Sequence, residues 1–186
     1  MKGPLLHFIF TGGTIDSHYD GAKDTVVPNK HSIIPDFLKS AKFQLKAKYT
    51  EICMKDSRQM LESDINKIIN VIGGSTSKKF IITHGTYTMA DTARYLKAKL
   101  KCKDKTVVLT GSLTPIEGFS YSDGPFNLGY AIAKALELPP GVYVCIHAKT
   151  YAPEEVAKNM AEGLFYSIFE GRAPANPKKK PGNIKL

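Results

Sequence analysis

The chain has 186 residues, with 26 Lys and Arg against 17 Asp and Glu, a formal net charge of +9. Hydrophobic residues at 42% and charged residues at 23% exclude a collagen-like repeat, a disordered polymer and a disulfide-stapled miniprotein. No apolar run approaches the ~20 residues that span a bilayer, so no membrane partner is expected.

Leu5 to Phe10 reads as a buried strand that runs into Thr11-Gly12-Gly13-Thr14; it is too short for a secretory leader. Phe43 to Cys53 alternates apolar and polar residues, as a half-buried strand does. Leu61, Ile65, Ile68, Ile69 and Ile72 fall on one helical face, with Ser63 as the expected cap and Gly73-Gly74 as the stop. Phe80-Ile81-Ile82 is the next strand, and Met89, Ala93, Leu96 and Leu100 form the next helical stripe. Thr106 to Leu109 reads as a strand, 126–138 as a helix, and Val142 to Ile146 as a strand. A last helix is expected over Glu154 to Phe169. Short, continuously apolar strands alternating with amphipathic helices predict one α/β domain, a doubly wound, mostly parallel sheet flanked by helices.

The domain is expected to fill residues 1–170. Five basic residues and no acid lie in the Pro- and Lys-rich stretch 171–186, which reads as a flexible, solvated tail. It has no aromatic residues for base stacking, so a nucleic-acid partner is not expected. Cys53, Cys102 and Cys145 are widely spaced and form no C-x-x-C, which suits reduced thiols in the cytoplasm. The five histidines show no ligand spacing, so no metal is expected.

Three strands end in similar turns: Thr11-Gly12-Gly13-Thr14, Thr83-His84-Gly85-Thr86 and Thr110-Gly111-Ser112. Ligands in open α/β sheets sit beyond the carboxyl ends of the strands, so these turns converge on one crevice. Neither G-x-G-x-x-G nor G-x-x-x-x-G-K-[ST] is present, which disfavours a dinucleotide or P-loop site and leaves a small polar ligand.

The segments Phe10-Thr11-Gly12-Gly13-Thr14-Ile15 and Thr83-His84-Gly85-Thr86-Tyr87-Thr88-Met89 lie about 70 residues apart. With Ser122-Asp123-Gly124-Pro125-Phe126-Asn127-Leu128, they resemble the bacterial-type L-asparaginase (asparaginase/glutaminase) family. The resemblance runs from about residue 5 to 170 and matches the N-terminal α/β domain of that family, as in its short, single-domain members. It implies hydrolysis of the side-chain amide of asparagine, without a cofactor. It makes Thr14 the nucleophile, assisted by Tyr19, with Thr86 and Lys158 as the second catalytic group. It places Asp56, Ser57, Gly85 and the residue at position 87 around the small-molecule amide substrate, and makes Ser112 a candidate oxyanion donor. It also implies a homodimer or homotetramer.

The chain departs from the family pattern at Tyr87, where the family has an Asp that contacts the substrate's α-amino group and supports the Lys. A phenol can donate or accept a hydrogen bond but offers an ammonium group no carboxylate. Weak activity, a substrate without the amino group, and an inactive metabolite-binding protein all stay open, as does compensation by Asp91 or Asp56. Arg58 is likewise outside the family pattern; its fork could hold a carboxylate.

Overall fold

The computed structural model describes residues 5–101, 103–118 and 121–170. Cys102 and the basic stretch 171–186 lie outside the described residues.

Six strands form the central sheet, in the order β4-β1-β5-β6-β7-β8. They are β1 (Leu6–Gly12), β4 (Ala47–Lys55), β5 (Lys79–Thr83), β6 (Thr106–Thr110), β7 (Gly141–Ile146) and β8 (Lys149–Tyr151). The first five are mutually parallel; only β8 runs antiparallel, against β7. Two small hairpins stand apart: β2 (Ser17–Asp20) with β3 (Thr25–Pro28), and β9 (Val156–Lys158) with β10 (Phe165–Ser167). The helices are α1 (Ile34–Ser40), α2 (Glu62–Gly74), α3 (Met89–Lys99) and α4 (Gly124–Glu137).

Strand alternation divides the apolar residues between two cores. Ile9, Phe80, Ile82, Val107 and Leu109 face one side, where α2 and α3 bring Ile68, Ile72, Ala93 and Leu96. Phe8, Phe10, Ile81 and Val108 face the other, where α1 and α4 bring Leu38, Leu128 and Ala131. This is the doubly wound, mostly parallel sheet that the strand–helix alternation predicts. The chain leaves β1 toward opposite neighbours, β4 and β5, so the crevice between the β1 and β5 ends is the topological switch point where such sheets take ligands.

Three local expectations are corrected. Residues 154–169 form the β9–β10 hairpin rather than a helix: Gly163 takes a φ of 72° in the reversal, and its N–H reaches the Asn159 carbonyl at 2.8 Å. Leu61, not Ser63, caps α2, and its N–H goes to the Asp64 carboxylate at 3.2 Å. Gly73 and Gly74 lie inside the last turn of that helix, which ends at Ser75. The β2–β3 hairpin, α1 and β8 are additional elements.

Candidate active site

The turns after β1, β4 and β5 pack backbone against backbone. A Cβ on Gly13 would sit 2.3 Å from the Gly85 nitrogen, and one on Gly85 would sit 2.7 Å from Ser57 Cβ and Oγ. Gly13 also holds a φ of 77°, in the left-handed region that favours glycine. The Gly13 and Gly85 backbones therefore touch, and the Ser57 side chain packs directly against Gly85. Further bonds tie them: Gly13 N–H donates to the Lys55 carbonyl at 2.9 Å, and Thr88 Oγ1 donates to the Ser57 carbonyl at 3.0 Å.

This stack presents a cleft of about 740 Å³. Thr14, Asp56, Ser57, Gly85, Thr86, Tyr87 and Lys158 all line it. Seven of the residues singled out in the sequence are thus brought together from four separate elements. Lys158 Nζ donates to Thr86 Oγ1 at 2.7 Å. The Thr14 side chain has no hydrogen-bond partner among the described residues, and Thr14 lines the same cleft.

The hairpin that carries Lys158 is anchored from beneath. Val156 and Phe165 are buried in the core, Tyr151 Oη donates to the Phe165 carbonyl at 2.8 Å, and Arg94 of α3 donates to the Val156 carbonyl at 2.5 Å. Lys158 is therefore on a short strand, not on a helix. Its partial burial lowers its pKa from the ordinary lysine value, because desolvation disfavours the ammonium form.

Thr14 opens a single 3-10 turn, Thr14–Asp16. Asp16, which sequence reasoning passed over, pins that turn. Its buried carboxylate accepts from Ser32 Oγ at 2.5 Å and from Ile33 N–H at 2.8 Å, and burial pushes its pKa up to about 6. His84 lies behind the cleft, fully buried, and burial pushes its pKa down to about 4. Thr25, Val26, Val27 and Pro28 of β3, with Gln59 and Leu113, complete the walls. No pattern in the sequence marks these residues, because their place depends on a hairpin folding back over the β1 turn.

Two residues implied by the resemblance are not among those lining the cleft. Ser112 is buried, and its hydroxyl donates to the Thr114 carbonyl at 2.6 Å, which fixes a loop instead of facing a ligand. Tyr19 sits on β2 with its hydroxyl donating to Asp24. Asp91 does not reach the cleft either; it is exposed and pairs with Arg94 at 2.9 Å. Asp56 does line it, with both carboxylate oxygens engaged by Arg58, and the Arg58 guanidinium lies 5.1 Å from the centre of the Tyr87 ring. Among the described residues no group of His, Cys, Asp and Glu could hold a metal ion, and no helix is long and apolar enough to cross a membrane.

Residues 5–170 match the family model described as asparaginase, N-terminal. This chain belongs to the asparaginase family. It is 34% identical over 142 residues to L-asparaginase 2 of Escherichia coli strain K12, an alignment that covers 72% of this chain and 39% of that protein. It is 30% identical over 169 residues to a probable periplasmic L-asparaginase of Haemophilus influenzae, covering 83% of this chain and 46% of the relative. The thermostable L-asparaginase from Thermococcus kodakarensis superposes with a TM-score of 0.76 at 30% identity, over 88% of this chain and 51% of that one. The chain thus spans less than half the length of these two curated relatives and about half of the superposed asparaginase, in line with its match to the family's N-terminal part.

Proposed function

We propose that this chain is an asparaginase-like amidohydrolase. It would cleave the side-chain amide of asparagine, glutamine or a related carboxylic acid to the acid and ammonia through a Thr14 acyl-enzyme. The observation that carries this reading is the 2.7 Å contact between Lys158 and Thr86, in the same cleft as Thr14. A hydroxyl is a weak nucleophile at neutral pH and needs a nearby base. Lys158 in its neutral form supplies that base, and partial burial favours this form. In the first step Thr14 Oγ attacks the amide carbon, its proton passes toward the Thr86–Lys158 pair, and the C–N bond breaks as ammonia takes up a proton. Water then attacks the ester carbon, which frees the acid and restores the Thr14 hydroxyl. Backbone N–H groups near Thr14 would steady the carbonyl oxygen as it gains charge. No cofactor takes part. Tyr19, which the resemblance makes the assisting residue, donates to Asp24 and is not among the residues that line the cleft.

We further propose that residues 1–170 act as the catalytic domain, with 171–186 as an appended tail, and that the protein works in the cytoplasm as a homodimer or homotetramer. The reduced-thiol pattern supports the cytoplasm, although one relative carries a periplasmic name. Light scattering and cell fractionation test these two points.

The deciding experiment is ammonia release from a panel of primary amides that includes asparagine and glutamine, with the parent protein, Thr14→Ala and Tyr87→Asp. Turnover in the parent that Thr14→Ala loses supports the reading. Turnover confined to Tyr87→Asp would favour the second reading, a metabolite-binding protein on the same scaffold. The observation behind that reading is Tyr87 itself, exposed at the cleft edge where the family pattern has a carboxylate.

A further inference from the structure

The cleft has an unusual charge inventory. Among the residues that line it, Asp56 is the only carboxylate, set against Arg58 and Lys158. Asp56 is already satisfied: Oδ1 accepts from Arg58 N–H at 2.8 Å and Nε at 3.0 Å, and Oδ2 accepts from Nη2 at 2.8 Å. The pairing holds its pKa below the ordinary carboxylate range. A substrate ammonium would therefore have to share its only counter-charge in the cleft with a guanidinium. Arg58, in contrast, has capacity left. Its Nη1 has no partner among the described residues, and its side chain is 62% exposed at the cleft edge. The Asp56 fork and the Tyr87 ring fix the plane of the guanidinium, and a held guanidinium is suited to a carboxylate.

Building on the amidohydrolase reading, we propose that Arg58, clamped between Asp56 and Tyr87, binds the substrate carboxylate, and that the preferred substrates are primary amides with a carboxylate but no free α-ammonium. Succinamate is the simplest of these. The bond broken is the same amide C–N bond, with water adding to the carbonyl carbon, so succinamate gives succinate and ammonia. Tyr87 has two effects here: it removes an anion that would repel a carboxylate, and it supplies the face on which Arg58 rests.

The test compares kcat/KM for ammonia release from succinamate and L-asparagine. Succinamate is expected to lead by about tenfold or more, the effect of one unmatched charge of ~1.4 kcal/mol. Arg58→Gln is expected to raise the succinamate KM about tenfold with kcat little changed, and Tyr87→Asp to shift the preference toward asparagine. Asparagine leading succinamate in the parent, or an unchanged KM in Arg58→Gln, would overturn the proposal. If no amide releases ammonia, the hydrolase reading fails separately. Calorimetric titration with succinate and L-aspartate then decides the charge preference. Tighter succinate binding sustains it; tighter or equal aspartate binding, or binding of neither, overturns it.

Discussion

Lys158 shows how one side chain depends on its placement. On the proposed mechanism Thr14 and Thr86 carry the hydroxyls and Lys158 is the base, an amine whose charged form is disfavoured by partial burial. Lys158→Met is expected to lower kcat by ~10²–10⁴-fold, the usual contribution of a positioned base. In the parent, kcat/KM is expected to rise with pH as Lys158 loses its proton, with a midpoint below that of an ordinary lysine; a flat alkaline profile would argue against Lys158 as the base. Lys158 was legible in the sequence as a residue but not as a placement. The family resemblance marks it, yet a three-residue strand is too short for its period to be told from a helical one. Asp16 was not legible at all, because nothing near it announces that its partners are Ser32 and Ile33.

Among the elements, glycine positions separate close approach from mere permissiveness. Gly13 and Gly85 sit where backbones touch, whereas a Cβ on Gly73, in the last turn of α2, would meet nothing within 4 Å. Gly85→Ala is expected to destabilise by ~1–3 kcal/mol, as overpacking does, and to displace Ser57. Gly73→Ala is expected to stabilise by roughly 0.5–1 kcal/mol, the helix-interior preference for Ala. Denaturant titration of the two variants checks both signs. The central parallel strands were legible as short, continuously apolar runs and α2, α3 and α4 by their apolar stripes, whereas α1 has only seven residues and shows no such stripe. The β2–β3 hairpin was not legible either, since it is held by backbone pairing around a turn at 21–24 and its four-residue strands carry no continuous apolar face.

For the whole molecule, acid stability is set by buried groups of opposite sign. His7 and His84 are buried and neutral, each lowered to about 4 from 6.5 by desolvation. Below pH 6.5 the unfolded chain takes up protons that these native histidines refuse, so their contribution falls as the pH drops through 6.5 to 4. Asp16, raised to about 6 from 3.8, acts the other way: the native state takes up its proton first, so acidification from 6 to 3.8 favours folding through this group. Asp64, held near 2 by Lys55 and Lys67, adds a further loss only between 3.8 and 2. Two histidines outweigh one aspartate, so Tm is expected to fall from pH 6.5 to 4, and more steeply in Asp16→Asn. A Tm that rises over that range in the parent would contradict this balance.

The cleft gathers Thr14 from near the start of the described chain, Ser57 and Thr86 from its middle, and Lys158 from close to its end. During synthesis the proposed nucleophile leaves the ribosome long before its proposed base exists. A nascent chain stopped before the last hairpin has most of its sheet but lacks Lys158. On the proposed mechanism catalysis is the last property this chain acquires, and regained activity would mark the end of refolding better than any measure of secondary structure.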